Sequence, residues 1–213
     1  MKTNMTRAIR IGATVALLAA AGLMAQPLLA QRAGARAGGP RTPPLLLTTS
    51  AWEDGGVIPD KYTMAAGAAT VSPALQWSQV PPGTRSFVLL VHDPEPVLNK
   101  STKMDITHWL IWNIPGTATG LPEGVKPGGD LPDGSHQISA SGPQYRGPGA
   151  AATGPLHHYT FEVYALDTKL DVIASTATQV INAALETRAS VMKAMNGHVL
   201  GKAVYVGLFK RPQ

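Results

Sequence analysis

Ionisable side chains concentrate in residues 86–114, where two apolar runs enclose a polar loop. Asp93 follows the first run and His108 opens the second. Both runs are short and rich in β-branched or aromatic residues, which is typical of buried strands. If they pair as antiparallel neighbours, the end of the first lies beside the start of the second, and Asp93 lies near His108. A carboxylate beside an imidazole can serve an enzyme, a metal site or an anion-binding site, because it orients the ring and favours its protonated form.

The same two residues are compatible with a structural role. Asp93 can cap the turn before Pro94, and His108 can be a hydrogen-bonded histidine at the end of a strand. A connection of this length without periodicity is more often functional than idle. Both hypotheses therefore stay open on these residues alone.

A second group of ionisable side chains lies in residues 142–166, which end in a pattern of period two. His157 and Tyr159 share a face with apolar side chains such as Phe161, whereas His158 points to the opposite face. We therefore expect His157 and Tyr159 at the rim of the core. Because adjacent strand residues diverge, His157 and His158 form a poor pair of metal ligands.

The elements that must position these residues are mostly strands. The chain contains 22 glycines and 18 prolines, which separate short strand candidates and predict a mainly β fold. Further strands are expected at residues 45–51, 72–77 and 203–209, and a surface loop at 115–134. Residues 187–196 are predicted to be helical with Thr187 as the N-cap, preceded by a second short helix or a continuation.

The N-terminus has the features of an export signal. Lys2, Arg7 and Arg10 precede a fifteen-residue apolar run, and Ala30 offers a cleavage position. We predict a signal peptide at residues 1–30, a flexible linker at 31–44 and one domain at 45–213, with a periplasmic or secreted location after cleavage. An uncleaved anchor is the alternative.

Charge and cysteine content exclude several classes of function. The formal net charge is +5, but 6 of the 18 basic residues precede the first acid, Glu53, which leaves 12 bases against 13 acids in the remainder. A nearly neutral domain gives no indication of nucleic-acid binding. The absence of cysteine excludes disulfides, thiolate metal ligands and a thiol nucleophile. No hydrolase elbow, zinc-protease, phosphate-loop or dinucleotide motif is present.

Several ordered motifs together resemble one known family. In chain order they are Ile58-Pro59 with Tyr62-Thr63, Ser72-Pro73-Ala74-Leu75-Gln76-Trp77, Asp93-Pro94-Glu95-Pro96, His108-Trp109, Gly147-Pro148 leading to Gly154 and His157-His158-Tyr159, and Gly197-His198-Val199-Leu200. Over residues 47–211 the sequence is similar to the phosphatidylethanolamine-binding protein family, in its bacterial branch often called Raf-kinase-inhibitor-like.

This resemblance implies a β-sandwich-like fold around a large antiparallel sheet, with a short helix near the C-terminus. It also implies a pocket for a small anion, such as phosphate or a phosphorylated headgroup. The family's pocket residues correspond to Asp93, His108, His157 and Tyr159, with Glu95 as the second acid and Pro96 closing the first motif.

The chain departs from the family pattern in both pocket motifs. The usual first motif is Asp-Pro-Asp-Ala-Pro, whereas here Glu95 replaces the second aspartate and the alanine is missing, so the loop is one residue shorter. In the second motif, Gly149 and residues 150–152, all alanine, occupy the stretch where the family has a proline pair. We expect a more mobile rim and an altered ligand preference there.

The predicted function is therefore an anion-binding protein that is not an enzyme and needs no cofactor or metal. Imidazole and phenol groups would donate hydrogen bonds to the anion, each contributing about 1.5 to 3 kcal/mol. A zinc site formed by Asp93, His108 and His157 is one alternative. Another is an inhibitor or interaction protein that binds a protease, a kinase or another macromolecule through loops 95–107 and 115–134. A phosphorylated headgroup would also bring contact with lipid at a membrane surface.

Overall fold

The computed structural model describes residues 43–98, 100 and 104–213. They belong to one compact unit, Arg41–Gln213. The predicted signal peptide and nearly all of the predicted linker lie outside the described residues. Among the helices that are described, none is both long and apolar enough to cross a bilayer.

Two β-sheets form the framework. The larger has six strands in the order β2-β9-β8-β4-β5-β7, and the smaller has three in the order β1-β3-β6. The strands are β1 (Leu46–Thr48), β2 (Gly56–Val57), β3 (Leu75–Ser78), β4 (Ser86–Asp93), β5 (Ile106–Pro115), β6 (Gly120–Leu121), β7 (His136–Ile138), β8 (His157–Leu166) and β9 (Val199–Phe209). The mainly β prediction is confirmed, except that β2 pairs with β9 in parallel, which makes the large sheet mixed.

Strand β4 lies at the centre of the large sheet and is buried on both faces. Phe87, Leu89 and Val91 belong to a core cluster that also contains residues of the small sheet, whereas Val88 and Leu90 belong to a second cluster on the opposite face. Alternate side chains of a strand point to opposite faces. A five-residue apolar run is therefore what a central strand with two covered faces requires.

Helix α2 (Val180–Ala194) covers the second face of the large sheet. It is one continuous helix, so the predicted N-cap at Thr187 is wrong. Thr187 lies in the middle of the helix, where its buried hydroxyl donates to the Ala183 carbonyl at 2.7 Å and accepts from the Ser175 N–H. A threonine whose hydroxyl is hydrogen-bonded in this way is tolerated inside a helix. Its residue type alone, however, favours a position at the N-terminal cap.

The prediction of a surface loop at residues 115–134 is only partly right, because β6 lies within them and pairs with β3. Leu121 of this strand is buried in the core. A Cβ atom at Gly120 would lie 2.3 Å from the Leu75 carbonyl oxygen. The sequence predicts that this glycine interrupts regular structure. In the fold it lets the backbone of β6 approach the backbone of β3 closely.

The loop between β4 and β5 begins with the short helix α1 (Glu95–Leu98). At its far end, Asp105 accepts a hydrogen bond from His92 at 2.7 Å and bidentate hydrogen bonds from Arg188 of α2. Burial acts to raise the pKa of Asp105, but the bonds from His92 and Arg188 lower it to about 2. These contacts hold α2 against the sheet, on the face opposite to that of Asp93.

Candidate functional site

Asp93 and His108 are brought together by the pairing of β4 with β5. The strands are antiparallel with Asp93 opposite Ile106, and the register shifts near His92. Asp93 and His108 are each only 3 % exposed. Both line one cavity of about 210 Å³. The end of β4 therefore lies beside the start of β5, as predicted.

The direct hydrogen-bond partner of Asp93 is His157 and not His108. His157 Nδ1 lies 2.8 Å from Asp93 Oδ2, and the Glu95 N–H donates to Asp93 Oδ1 at 3.1 Å. Burial raises the pKa of Asp93, opposed by the hydrogen bond from His157. The carboxylate thus joins the end of β4 to the start of β8 and orients the His157 ring.

His108 is held by the backbone of Arg146. Its Nδ1 lies 2.9 Å from the Arg146 carbonyl oxygen, and the Arg146 N–H donates to the His108 carbonyl at 2.9 Å. Because a carbonyl only accepts, Nδ1 carries the proton. Burial lowers the pKa of His108 to about 4, although the Arg146 and Gly147 carbonyls act in the opposite direction. Near pH 7 this ring is therefore neutral, unlike the donating imidazole that the sequence analysis predicted.

Tyr159 fixes the segment that follows Arg146. Its hydroxyl accepts hydrogen bonds from the N–H groups of Gly149 at 3.1 Å and Ala150 at 3.0 Å. Proline has no N–H, so these bonds depend on the absence of proline from this stretch. Burial, and then the charge of Asp93, raise the pKa of Tyr159 well above its ordinary value. The phenol therefore remains protonated and serves to position the cavity wall.

The aromatic rings of the site pack against one another. The His108 and Tyr159 rings meet edge to face with centroids 5.0 Å apart. The His157 and Tyr159 rings are stacked with an angle of 25° between their planes and centroids 6.4 Å apart. His157, Tyr159 and Phe161 lie on the inward face of β8, as the period of two predicted. His158 points away from the cavity, also as predicted.

Glu95 and Pro96 take different positions. Pro96 lines the cavity, whereas Glu95 does not. The Glu95 carboxylate turns to His158, with 2.5 Å between Oε1 and Nδ1. Burial acts to raise the pKa of Glu95, but hydrogen bonding with Asp93 and His158 lowers it. The second acid of the motif therefore lies outside the lining of the cavity.

Arg146 is a charged cavity residue that was not predicted from the sequence. Arg146 lines the cavity together with His108, and its charge contributes to lowering the pKa of that ring. Its Nη1 donates to Ser141 Oγ at 2.5 Å, and its buried Nε has no hydrogen-bond partner in the described part of the chain. The described residues include all 13 acids of the chain. Among these residues, the arginine that forms an ion pair with an acid is Arg188 and not Arg146. The only signal was its position directly before Gly147-Pro148.

The residues that could hold a metal differ from the predicted set. Ligand atoms of Asp93, Glu95 and His157 lie within 4.8 Å of one another, and His108 does not belong to this group. Asp93 bonds His157 directly and Glu95 bonds His158. Glu95 Oε2 is also buried and has no hydrogen-bond partner among the described residues.

Comparison with known proteins agrees with the fold and the motifs. A family model described as phosphatidylethanolamine-binding protein matches residues 48–210. A UPF0098 protein of Methanothermobacter thermautotrophicus is 40 % identical over 167 residues, covering 78 % of this chain and 98 % of the relative. The UPF0098 protein YbcL of Escherichia coli is 41 % identical over 103 residues, covering 46 % of this chain and 54 % of YbcL.

Solved structures show the same fold. The crystal structure of Escherichia coli YbcL, described as a member of the mammalian PEBP family, superposes with a TM-score of 0.63 at 26 % identity, covering 79 % of this chain and 99 % of YbcL. A PEBP homologue from Chlamydia trachomatis superposes with a TM-score of 0.59 at 25 % identity, covering 79 % and 98 %. Because the family model matches residues 48–210 and a relative covered over 98 % of its length is 40 % identical, this chain belongs to the phosphatidylethanolamine-binding protein family.

Proposed function

We propose that this protein is an exported binding protein that holds a small anion or a phosphorylated headgroup in the cavity beside Asp93. Arg146 is the main support for this proposal. It is a permanent cation with a buried Nε that lacks a partner among the described residues. Leaving a buried donor without a partner is costly, and an anion in the cavity would satisfy it.

The size of the cavity suits a small ligand. Its volume is about 210 Å³, whereas one water occupies about 30 Å³ in the liquid. A phosphate with a short substituent would fill the space. A hydrogen bond to a charged group contributes about 1.5 to 3 kcal/mol, so a few such bonds support millimolar to micromolar affinity after ordering costs.

The lining of the cavity favours binding over catalysis. Its described residues include no serine, threonine, cysteine or lysine that could act as a nucleophile. The Tyr159 hydroxyl accepts two backbone hydrogen bonds, and its pKa is raised by burial. A phenol held in this state is a poor nucleophile.

Export is the part of the proposal that rests on residues 1–30. The charged start and the apolar run support a signal peptide. Cell fractionation and N-terminal sequencing of the mature protein test it directly. Recovery of the intact N-terminus in the cytoplasm would contradict export without affecting the binding proposal.

A protein partner at the loop that follows Asp93 is the second candidate. Leu98 on α1 is 74 % exposed. It borders an apolar cavity of about 470 Å³ between α1 and α2 that also includes Leu185 and Met192. If a partner binds here, Leu98→Ser abolishes its capture while His108→Ala leaves capture intact. The opposite result would assign any partner binding to the anion cavity.

Titration of the purified protein with inorganic phosphate and phosphoethanolamine, followed by NMR, tests the anion site. We expect chemical-shift changes at the side chains of His108, His157 and Arg146. Arg146→Gln should remove them, whereas Arg85→Gln, which removes an exposed arginine at the opposite end of β4, should not. Saturating phosphate without any shift at these side chains would refute the proposed function.

A further inference from the structure

We propose that the cavity selects an oxyanion that carries its own proton, such as a phosphate monoester or inorganic phosphate, over an oxyanion without one, such as sulfate. This inference rests on the proposed function and specifies its ligand class. It follows from the hydrogen-bond donors and acceptors of three residues that line the cavity, Arg146, His108 and Asp93.

Arg146 lines the cavity and has an edge of its guanidinium with two N–H donors that can bind two oxygens of an anion. Nη1 is used by Ser141, which leaves the edge formed by Nε and Nη2. Nε on this edge is buried and has no partner within the described residues. Adjacent N–H groups of a guanidinium bind two oxygens of a carboxylate or phosphate in parallel. The charge on this wall therefore recognises an oxyanion but does not distinguish phosphate from sulfate.

The His108 wall supplies an acceptor. The Arg146 carbonyl fixes the proton on Nδ1, and a ring that is 3 % exposed next to a guanidinium resists a second proton. The other ring nitrogen, Nε2, then carries a lone pair. A hydroxyl on the bound anion can donate to this atom, whereas a bare oxygen would meet it with repulsion.

The Asp93 wall adds to this preference. The buried carboxylate lines the same cavity, and its two oxygens are bonded to the His157 ring and to the Glu95 N–H. A fully deprotonated oxyanion would approach a like charge in a region of reduced solvent screening. A proton on the ligand lowers its charge and replaces a repulsive contact by a hydrogen bond.

Two kinds of ligand can bring a proton into the cavity. A monoester or inorganic phosphate carries it on oxygen, with a second pKa near 6 for phosphate monoesters. A zwitterionic diester headgroup would have to bring it on its ammonium group instead. Glycerophosphoethanolamine represents the second kind, while methyl phosphate represents the first and lacks an amine.

Calorimetric titration of the full purified protein at pH 6 and constant ionic strength tests the selection. The probes are phosphate against sulfate, and methyl phosphate against dimethyl phosphate, which keeps the ester but lacks the acidic proton. We expect the first member of each pair to bind at least tenfold more tightly, because sites built to bond a hydroxyl reject analogues without one. Glycerophosphoethanolamine should bind no better than dimethyl phosphate, and tighter binding would assign the proton to an amine and overturn the proposal.

The outcomes separate this inference from the proposed function. Equal affinity for phosphate and sulfate would overturn the selection but leave anion binding intact, whereas no binding of any probe would refute both. His108→Asn should reduce the preference for phosphate over sulfate to less than threefold. Nitrogen-15 NMR of the wild-type imidazole provides a check that needs no variant. A proton on Nε2 of His108 at pH 6, in a neutral or a doubly protonated ring, would overturn the proposal.

Discussion

His157 Nδ1 and Asp93 Oδ2 lie 2.8 Å apart although the residues are 64 positions apart in the sequence. This bond joins the end of β4 to the start of β8 at the rim of the cavity. The Asp93 carboxylate is nearly inaccessible to solvent. A buried pair of this kind loses much of its stabilisation when one partner is removed, because the other is left without its hydrogen bond.

Asp93→Asn should therefore lower the free energy of unfolding by about 1 to 3 kcal/mol. The amide is uncharged, and its single oxygen cannot replace both carboxylate oxygens, one of which bonds the His157 ring and the other the Glu95 N–H. Urea denaturation followed by circular dichroism measures the change. Asp130→Asn is the matched control, because Asp130 also bonds a histidine but is 89 % exposed. The control should change stability by less than about 0.5 kcal/mol, and equal effects in the two variants would contradict this interpretation.

Arg146 should account for most of the affinity for an anion. Arg146→Gln should weaken phosphate binding by about 10- to 150-fold, which corresponds to the loss of 1.5 to 3 kcal/mol from a charged hydrogen bond. Arg146→Lys should recover only part of it, since an ammonium lacks the paired donors of a guanidinium. Isothermal titration measures both, with Arg85→Gln as the control. Full recovery by lysine would mean that charge alone holds the anion.

His108 should make the protein less stable as the pH falls. Its pKa is about 4 in the folded protein, compared with an ordinary value of 6.5. Between these values the unfolded chain binds more protons, so the free energy of unfolding decreases from pH 6.5 to pH 4, by roughly 3 kcal/mol from this group. Urea denaturation at half-unit pH steps measures the slope. His108→Asn should flatten it over this window, and an unchanged slope would place the pH dependence elsewhere.

Tyr159→Phe should loosen the cavity wall without unfolding the protein. The change leaves the Gly149 and Ala150 N–H groups without their acceptor, at a cost of about 1 to 3 kcal/mol. Amide hydrogen exchange at these two residues should become faster by a factor of ten or more. Tyr164→Phe, which removes a hydroxyl that bonds Glu162 on the same strand, should leave their exchange unchanged. Similar exchange in both variants would show that Tyr159 does not hold this segment.

The sequence predicted those features that repeat along the backbone. The apolar runs of β4 and β5 indicated a buried hairpin, and the alternation in β8 correctly separated His157 and Tyr159 from His158. Such patterns are visible because the direction of a side chain follows from the local geometry of the strand. The motifs, taken in order, led to the family and to the mainly β fold.

Other features were decided only by tertiary structure. Asp93 bonds His157 because β8 lies beside β4 in the large sheet, and sequence distance does not report which strand is the neighbour. Thr187 lies inside α2 because packing against the sheet stabilises the longer helix, although its residue type favours a cap. The Glu95 carboxylate bonds His158, and Arg146 lies beside His108 because its carbonyl accepts from that ring. These outcomes depend on contacts between distant segments, whose energies no local pattern contains.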